Sequence, residues 1–499
     1  MSETWVDDTF TSNILDIPVD CSQSNIGRSF IVAFPSNKDK SKERNSLVIS
    51  TSSQHDVNVE VREFTGDTLT GIVSSNTILS LKLSENSRCT GSGLQDCSVK
   101  ISALGGEISV IGYSYLRSSV DNFLVFPVDS LGNDYAIASY TPTSAFSSEF
   151  TVTAVSTVTN VTVEFPELIR EDRITKGLTA DLNFILNAGQ TYQVQSPLDL
   201  SASRVVSSAP VSVISGVTCA KVPGNVQACD YMVEQMPPVN TLGRFFSVST
   251  YHGRPNSGLD IRIIATLDDT RITSDSVSTT IDAFEYYDFT SGTPDAFEFE
   301  TSEPVLVVQY QRSYGSDNQG DPSMSIISPK EQFPVGSITF PVASSFVSSN
   351  YIDITVDTMY ESGIQVDGVL LDSSTASHVT TAVSTIWGKE ITEGVHTVSH
   401  VDPDIPFSVT TYGYDTIPKK AYGTLAGTFL RQSGCRQTTT SAHVTADTTD
   451  IFSTTATTEL TTFETQTSIV TLDGSSPGAS TTADINLYVW MMVLLAIFN

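Results

Sequence analysis

The chain has 499 residues, of which 39% are hydrophobic and only 16% are charged. With 26 Lys and Arg against 56 Asp and Glu, its net charge is −30, which excludes general nucleic-acid binding and disfavours docking on anionic lipid through a polybasic patch. The length predicts several domains. Ser and Thr replace the missing charges, a composition that favours an extracellular or cell-surface protein over a cytosolic enzyme.

The N-terminal residues, from Met1 to Asp8, contain neither the basic nor the apolar stretch of a secretory signal peptide. Features further along the chain nevertheless indicate export. We therefore expect the natural polypeptide to start upstream of Met1, with a signal peptide that is missing from this sequence.

Residues 15–430 have the pattern of β-strands. Apolar and polar residues alternate, or nearly so, in segments such as 57–61, 259–263 and 351–356, as expected for half-buried strands. Turn residues recur every eight to twelve positions, and no window of a dozen residues has convincing helical periodicity. The sequence therefore predicts an all-β domain.

Two markers repeat along this domain. The first marker is a strand that starts with Gly-x-x-aromatic, or nearly so, after a Pro-Val dipeptide. The second is an apolar strand start that recurs at intervals of 103, 94 and 102 residues. The glycines are Gly27, Gly132, Gly243 and Gly336, and the second starts are Ile108, Val211, Val305 and Phe407. We predict four tandem β-sandwich-like repeats of about 100 residues, at 15–120, 121–230, 231–325 and 326–430. A propeller-like ring of large blades is the alternative.

A third marker is an Asp that precedes a proline by six to eight residues. Asp121, Asp230 and Asp321 show this spacing, and the fourth unit lacks it. We interpret each as the cap of a turn that leads into a strand, with the carboxylate accepting backbone N–H bonds.

The six cysteines predict three disulfides. Cys89 and Cys97 flank a Gly-Ser-Gly turn, and Cys219 and Cys229 flank a Pro-Gly-Asn turn, so each pair could join the base of a hairpin. Cys21 and Cys435 remain as the third pair, which would close the molecule if the repeats form a ring. Six free thiols are the alternative, and zinc is disfavoured because the sequence has no C-x2-C pair.

The sequence marks no catalytic or metal site and no cofactor. His396 and His400 are four residues apart on a predicted strand, which separates their rings by about 13 Å. The segment 316–321 has oxygen ligands for calcium but lacks the EF-hand register, and an ordinary turn is favoured. No nucleophile elbow, P-loop or dinucleotide fingerprint is present. We predict that the protein is not an enzyme.

One glycosylation sequon occurs, at Asn160-Val-Thr162. Val161, Val163 and Phe165 should point inward on this strand, which places Asn160 on the solvent side as a glycan site.

The C-terminal region predicts a stalk and a lipid anchor. Of the 46 residues from 437 to 482, 23 are Ser or Thr and none is Lys or Arg, so 436–476 is interpreted as a disordered, mucin-like stalk. Gly474, Ser475 and Ser476 precede a polar spacer and a short apolar tail within 477–499. This tail is shorter than the about 20 residues of a membrane span, and the order matches a glycosylphosphatidylinositol anchor signal.

Several motifs together resemble the N-terminal domain of the IgGFc-binding protein family. The first motif runs from Cys219 to Pro238, the second begins at Gly320, and a closing segment lies between Tyr412 and Gly427. The residues that carry the first two motifs are Cys229, Asp230, Glu234, Gln235, Pro237, Pro238, Gly320, Asp321, Pro322 and Met324. The resemblance implies an extracellular, non-enzymatic domain, and it assigns no residues to immunoglobulin binding.

The features above predict a non-catalytic extracellular or cell-surface binding and adhesion glycoprotein. It would recognise a protein or glycan ligand through the loops of its β units and would be tied to the outer leaflet of the membrane through a lipid anchor. The alternatives are a structural component of mucus or glycocalyx without a discrete ligand and, less favoured, an extracellular hydrolase.

Overall fold

The computed structural model describes residues 24–39, 42–226, 228–292, 296–315, 317–343 and 345–431. Within these ranges the chain is almost entirely β-structure, with one α-helix and five short 3-10 helices. The all-β prediction is confirmed. The strands form four modules, which we define as module 1 (24–127), module 2 (128–237), module 3 (238–328) and module 4 (329–431).

Module 1 is a sandwich of two sheets. Its elements are β1 (Ser29–Val32), β2 (Arg44–Ser50), β3 (Val57–Glu63), β4 (Thr68–Val73), β5 (Leu79–Lys82), a 3-10 helix (Glu85–Ser87), β6 (Gly93–Gln95), β7 (Val99–Leu104), β8 (Ser109–Leu116) and β9 (Ser119–Val125). The layers have the strand orders β1-β7-β3-β4 and β5-β2-β8-β9. Val57, Val59 and Val61 alternate with more exposed residues and enter the core between the layers, as the sequence pattern predicts.

Module 2 contains the α-helix. Its elements are a 3-10 helix (Val128–Ser130), β10 (Gly132–Ala136), β11 (Ser148–Ala154), β12 (Thr159–Glu164), α1 (Glu167–Thr175), β13 (Leu182–Leu186), β14 (Thr191–Ser196), β15 (Arg204–Ala220) and β16 (Asp230–Gln235). The 17-residue strand β15 pairs with β10 and β12 through its first half and with β11 and β16 through its second half. It therefore belongs to both layers.

Module 3 repeats this arrangement. Its elements are a 3-10 helix (Val239–Thr241), β17 (Gly243–Ser249), β18 (Leu259–Ala265), β19 (Thr270–Thr273), β20 (Ser278–Ile281), β21 (Tyr286–Ser291), β22 (Ala296–Gln311) and β23 (Ser323–Ile326). The long strand β22 pairs with β17 and β19 and then with β18 and β23, as β15 does in module 2.

Module 4 returns to two separate sheets. Its elements are a 3-10 helix (Lys330–Gln332), β24 (Ser337–Val342), β25 (Ser349–Asp357), a 3-10 helix (Thr358–Gly363), β26 (Ile364–Val366), β27 (Val369–Leu370), β28 (Ser377–Thr380), β29 (Ser384–Ile391), β30 (Gly394–His400), β31 (Phe407–Thr416) and β32 (Lys419–Gly427). The orders are β24-β30-β26-β27 and β28-β29-β25-β31-β32. β24, β30 and β26 correspond to β1, β7 and β3, so all four modules share one topology.

The modules form a closed ring. The last strands of successive modules, β9, β16, β23 and β32, contact one another in that order, and β32 also contacts β9. Closure is completed by the chain ends of the ring: Ser24 pairs with Phe429, and Asn25 exchanges hydrogen bonds with Thr428. The predicted β-sandwich repeats and the alternative propeller-like ring are thus both present, since the sandwiches are the blades.

At the module boundaries, three of the four marker glycines contact a proline that follows a last strand. A Cβ atom at Gly27 would lie 2.5 Å from Cβ of Pro127. The equivalent distance is 2.7 Å for Gly132 with Pro238 and 2.5 Å for Gly243 with Pro329. Only glycine leaves room for this proline, which lies in the connection between one module and the next.

The strand pairings place the module boundaries at later residues than the sequence analysis predicts. The predicted boundaries at 120/121, 230/231 and 325/326 each fall within the last strand of a module. These strands pair with β8, β15 and β22 of the preceding module, and each boundary therefore follows its last strand.

Two of the predicted disulfides are present, Cys89–Cys97 and Cys219–Cys229, with Cα atoms 5.4 and 5.3 Å apart. The second closes the hairpin between β15 and β16, as predicted. The first closes a loop whose strand β6 leaves module 1 and pairs with β14 of module 2.

Candidate functional site: the polar axis and the loop crown

The central axis of the ring is polar. No ladder joins the last strands of the four modules, β9, β16, β23 and β32, to one another. They are edge strands, and they present backbone N–H groups to one another. Asp121 lies among them. Its carboxylate accepts N–H bonds from Val233 (3.0 Å), Met324 (3.3 Å) and Gly423 (3.3 Å), one from each of the other three modules, and from Asn122 (2.9 Å) of its own strand.

The turn-cap interpretation of Asp121 is therefore wrong. This residue is fully buried inside β9 and does not cap a turn. Its burial raises the pKa well above the ordinary range, while the four N–H donors act in the opposite direction because they stabilise the carboxylate. Asp121 thus supplies the hydrogen-bond acceptors that the missing ladders would otherwise supply.

Glu234 and its neighbour extend the same network. Glu234 accepts the N–H of Ile326 at 3.3 Å and the hydroxyl of Thr424 at 3.2 Å, and Gln235 accepts the N–H of Phe126 at 2.9 Å. Burial, together with the charge of Asp121, raises the pKa of Glu234 well above its usual range. Modules 1 to 4 are therefore joined by buried side-chain bonds to edge-strand backbone.

The residues of the family resemblance mark this axis. Within the first motif, Cys229 precedes β16, Asp230 begins it, Glu234 and Gln235 lie in it, and Pro237 and Pro238 follow it. Within the second, Gly320, Asp321 and Pro322 precede β23, and Met324 lies in that strand. Most of them are buried. The motifs thus specify how the modules meet, and a surface for ligands has to be sought elsewhere.

One end of the axis carries the hairpins that precede the four last strands. We call these tips the loop crown: 117–118, 221–229, 312–322 and 417–418, without residues 227 and 316. They lie at the same end because the four last strands hold equivalent places in modules of one topology around the ring. For β9 and β16 the shared direction is shown by the contacts of Asp121 with Val233 and of Phe126 with Gln235.

The loop crown and its flanks are rich in basic residues. Arg117 is exposed, and Lys221, Lys419 and Lys420 are partly exposed. The Nζ atom of Lys419 lies 3.6 Å from the ring centroid of Tyr314, a cation–π contact between modules 3 and 4. Next to it, Ile417 is 92% exposed. The carboxyl groups of Asp317 and Asp321 in the crown are almost fully buried, and Asp415 in its flank is partly exposed. The exposed charge of the crown is therefore mainly positive, in a chain with a net charge of −30.

Two buried structures support the crown. The Cys219–Cys229 bond fixes the base of the module 2 hairpin, and Val222 of this hairpin exchanges hydrogen bonds with Ser313. Behind it, Arg254 donates two hydrogen bonds to Asp317, at 2.9 and 2.7 Å, in an ion pair with almost no exposure. Both carboxylate oxygens of Asp317 are thus occupied by arginine, and residues 317–319 form a bend of the chain.

The predicted sequon residue lies on the surface of module 2. Asn160 is exposed in β12, and Val161 and Val163 are buried, as the alternation predicts. Opposite Asn160 in the ladder stands Ile185, which is 62% exposed. Nothing in this arrangement obstructs a glycan on Asn160, and its presence stays a prediction.

The histidines take part in structural hydrogen bonds. Nδ1 of His396 is 2.8 Å from Asp367, and Nε2 of His400 is 2.9 Å from the carbonyl of Tyr360. His252 is hydrogen-bonded through Nδ1 to Ser377. The carboxylate of Asp353 accepts a hydrogen bond from the backbone N–H of His252, whereas the carboxylate of a hydrolase triad binds the imidazole ring.

Other predicted features fall outside the described residues. They are Cys21, Cys435, the stalk at 436–476, the anchor-site residues Gly474, Ser475 and Ser476, and the tail at 477–499. Within the residues described, no group of three or more metal-ligating side chains and no helix of sufficient length and apolarity to cross a membrane is found.

Sequence reasoning missed Asp121 as the hub of the axis and did not single out the crown lysines. A signal existed for the first, because the Asp-to-Pro spacing marked Asp121. The crown was hidden, since its tips are about 100 residues apart and meet only through the ring.

A closed ring of four like β-sandwiches, joined by buried carboxylates, defines a multi-module β-protein whose adaptable parts are its loops. The family model described as IgGFc binding protein matches residues 121–413, more than half of the 499 residues. The chain therefore belongs to the IgGFc-binding protein family. The match starts at Asp121 and leaves out most of module 1, although module 1 has the topology of the others.

Two known proteins show how far the likeness extends. The IgGFc-binding protein of Homo sapiens is 27% identical over 254 residues, which cover 50% of this chain and 5% of the human protein. The chain therefore spans a small fraction of that relative. A solved tetra-tandem repeat from the extending region of a large adhesion protein is 9% identical, with 81% of this chain and 98% of that chain covered and a TM-score of 0.10, too low to support an argument.

Proposed function

We propose that this protein is a non-catalytic extracellular binding glycoprotein and that its loop crown contacts an acidic protein or glycan. The observation that carries the proposal is the concentration of Arg117, Lys221, Lys419 and Lys420 at one end of the axis of a strongly acidic protein. Complementary charge raises association rates and favours acidic over basic ligands.

The crown is also rigid enough for recognition. Its module 2 hairpin is closed by the Cys219–Cys229 bond, and its module 4 hairpin is held by the contact of Lys419 with Tyr314. The Nζ atom of Lys420 donates to the carbonyl of Phe346 at 2.9 Å. Loops that are ordered before binding lose less conformational entropy on binding, and affinity rises accordingly.

The family supports a binding role in general terms. The human relative is named for immunoglobulin Fc, and Fc is therefore one protein ligand to test on this chain. No described residue is assigned to that ligand by the likeness, and the charge of the crown makes sulfated or sialylated glycans the second class of probe.

The test is direct binding of the full chain to immobilised IgG Fc, heparin and a sialylated mucin glycan. We expect saturable binding to at least one of them, weakening with salt. The variant Arg117→Glu/Lys221→Glu/Lys419→Glu should bind that probe at least about tenfold more weakly. Lys82→Glu, which changes an exposed lysine of β5 outside the crown, is the matched control.

Saturable binding that the triple variant leaves unchanged would contradict the crown as the binding site. Absence of saturable binding to all three probes would favour the alternative of a structural component of mucus or glycocalyx.

The cell-surface setting belongs to the same proposal. We propose a glycan on Asn160, a mucin-like stalk at 436–476, an anchor attached within Gly474–Ser476 and a Cys21–Cys435 bond. The bridge between Ser24 and Phe429 supports the last of these, because it brings together the segments that lead to the two cysteines. Phospholipase release of the protein from cells that express the full-length gene tests the anchor, and a glycosidase shift lost in Asn160→Gln tests the glycan.

A further inference from the structure

Lys38 and Asp230 form an ion pair between module 1 and module 2. Nζ of Lys38 lies 2.9 Å from Oδ1 of Asp230 and donates a second hydrogen bond to the carbonyl of Ser118 at 2.8 Å. The lysine side chain is 20% exposed and the aspartate side chain is not exposed. The amine is therefore held against a carboxyl group that water does not reach.

A second buried carboxyl group, that of Asp321, interacts electrostatically with this pair. Asp321 is 3% exposed, and its Oδ1, like Oδ2 of Asp230, has no hydrogen-bond partner among the described residues. Burial, and after it the charge of Asp230, raises the pKa of Asp321 to about 8, while Lys38 acts in the opposite direction. Asp321 is thus a buried acid whose protonated form is favoured and whose charge interacts with both partners of the pair.

We propose that Lys38 and Asp230 become joined by an isopeptide bond, with Asp321 as the proton relay. In the neutral form of the pair, the Nζ amine attacks Cγ of the protonated Asp230 carboxyl group. The N–C bond forms, one C–O bond of Asp230 breaks, and the hydroxyl group leaves as water with a proton supplied by Asp321. A proton lost from Nζ restores Asp321, so the only product besides the amide is one water molecule, and nothing is oxidised or reduced.

Three features of the site favour this condensation. The reacting groups are already in contact, which converts a bimolecular reaction into an intramolecular one. Burial raises the pKa of Asp230, with Lys38 opposing, and so favours the protonated carboxyl group that the reaction needs. The product would also link residues that are 192 positions apart, and so fasten module 1 covalently to module 2 beside the axis.

The proposal is independent of the ligand that the crown binds, because Lys38 is not among the residues changed in the binding test. The test is peptide mapping of the secreted full chain after reduction, alkylation and trypsin digestion. We expect a branched peptide in which 29–40 is joined to 222–244, lighter than the sum of the two by one water molecule. Cleavage after Lys38 should be lost, because trypsin does not cut at an amidated lysine.

Two pairs of variants test the roles. Lys38→Arg keeps the positive charge and should give only unlinked peptides, with the fold confirmed by an unchanged circular dichroism spectrum. Asp321→Asn should abolish the link, and Asp321→Glu, which retains an acid, should restore part of it, a rescue that a merely structural role would not produce. Recovery of unbranched 29–38 and 222–244 from wild-type protein would overturn the proposal, and a link that persists in Asp321→Asn would overturn the role of Asp321.

Discussion

Removing the carboxylate of Asp121 should destabilise the whole ring. In Asp121→Ala, the N–H groups of Val233, Met324 and Gly423 lose their acceptor while they stay buried. Each buried donor left without a partner costs about 1–3 kcal/mol. We expect the free energy of unfolding to fall by about 3–6 kcal/mol, since relief of the desolvation of the Asp121 carboxyl group offsets part of the total.

Urea denaturation followed by tryptophan fluorescence and circular dichroism measures this change. Asp129→Ala is the matched control, because Asp129 is an exposed carboxylate in the connection that follows the same strand, and surface changes usually stay within about 0.5 kcal/mol. Asp121→Asn keeps one acceptor and should lose less than Asp121→Ala. A free energy of unfolding for Asp121→Ala within about 1 kcal/mol of wild type would refute the role of Asp121 as hub.

Three further predictions concern the ring, pH and the crown. Gly132→Ala forces a Cβ atom to within 2.7 Å of Pro238 and should lower the free energy of unfolding by about 1–3 kcal/mol through overpacking. In the same urea experiment Gly292→Ala should be near neutral, because no described atom lies within 4 Å of a Cβ at that position. Burial raises the pKa of Asp353 to about 8, so its contribution is full below about pH 4 and is lost as the pH rises to 8. At about 1.4 kcal/mol per unit, wild-type stability should fall by several kcal/mol across that window, and Asp353→Asn should flatten the profile. If stability falls equally steeply with pH in Asp353→Asn, the raised pKa of Asp353 is not its cause. Cys219→Ser/Cys229→Ser should lower stability by about 2–3 kcal/mol and weaken crown binding, and unchanged affinity would show that the hairpin does not need the bond.

The sequence predicted the repeat because its markers are local. Gly132 and Pro238 each belong to a short motif, and a glycine that contacts a proline recurs at three module boundaries, although no described atom lies within 4 Å of a Cβ at Gly336. The alternating valines of β3 likewise report burial through neighbouring residues. Patterns of this kind are set by the period of the strand and can be recognised without knowing what packs on it.

The axis and the crown depend on long-range contacts instead. Asp121 meets residues 112, 203 and 302 positions away, and Lys38 meets Asp230 across 192 positions. A carboxylate that accepts N–H bonds from distant strands has the same local sequence as one that caps a turn. The turn-cap interpretation of Asp121 failed for this reason, and the crown could not be assembled before the order of the modules around the ring was known.

Differential scanning calorimetry of the full chain tests the central claim most directly, because a ring locked on one polar axis should unfold as a unit. We predict a single transition whose calorimetric and van 't Hoff enthalpies agree. Asp121→Ala should split or broaden this transition. Several separate transitions in the wild-type protein, each with the enthalpy of about 100 residues, would show four independent β-sandwiches in place of a closed ring.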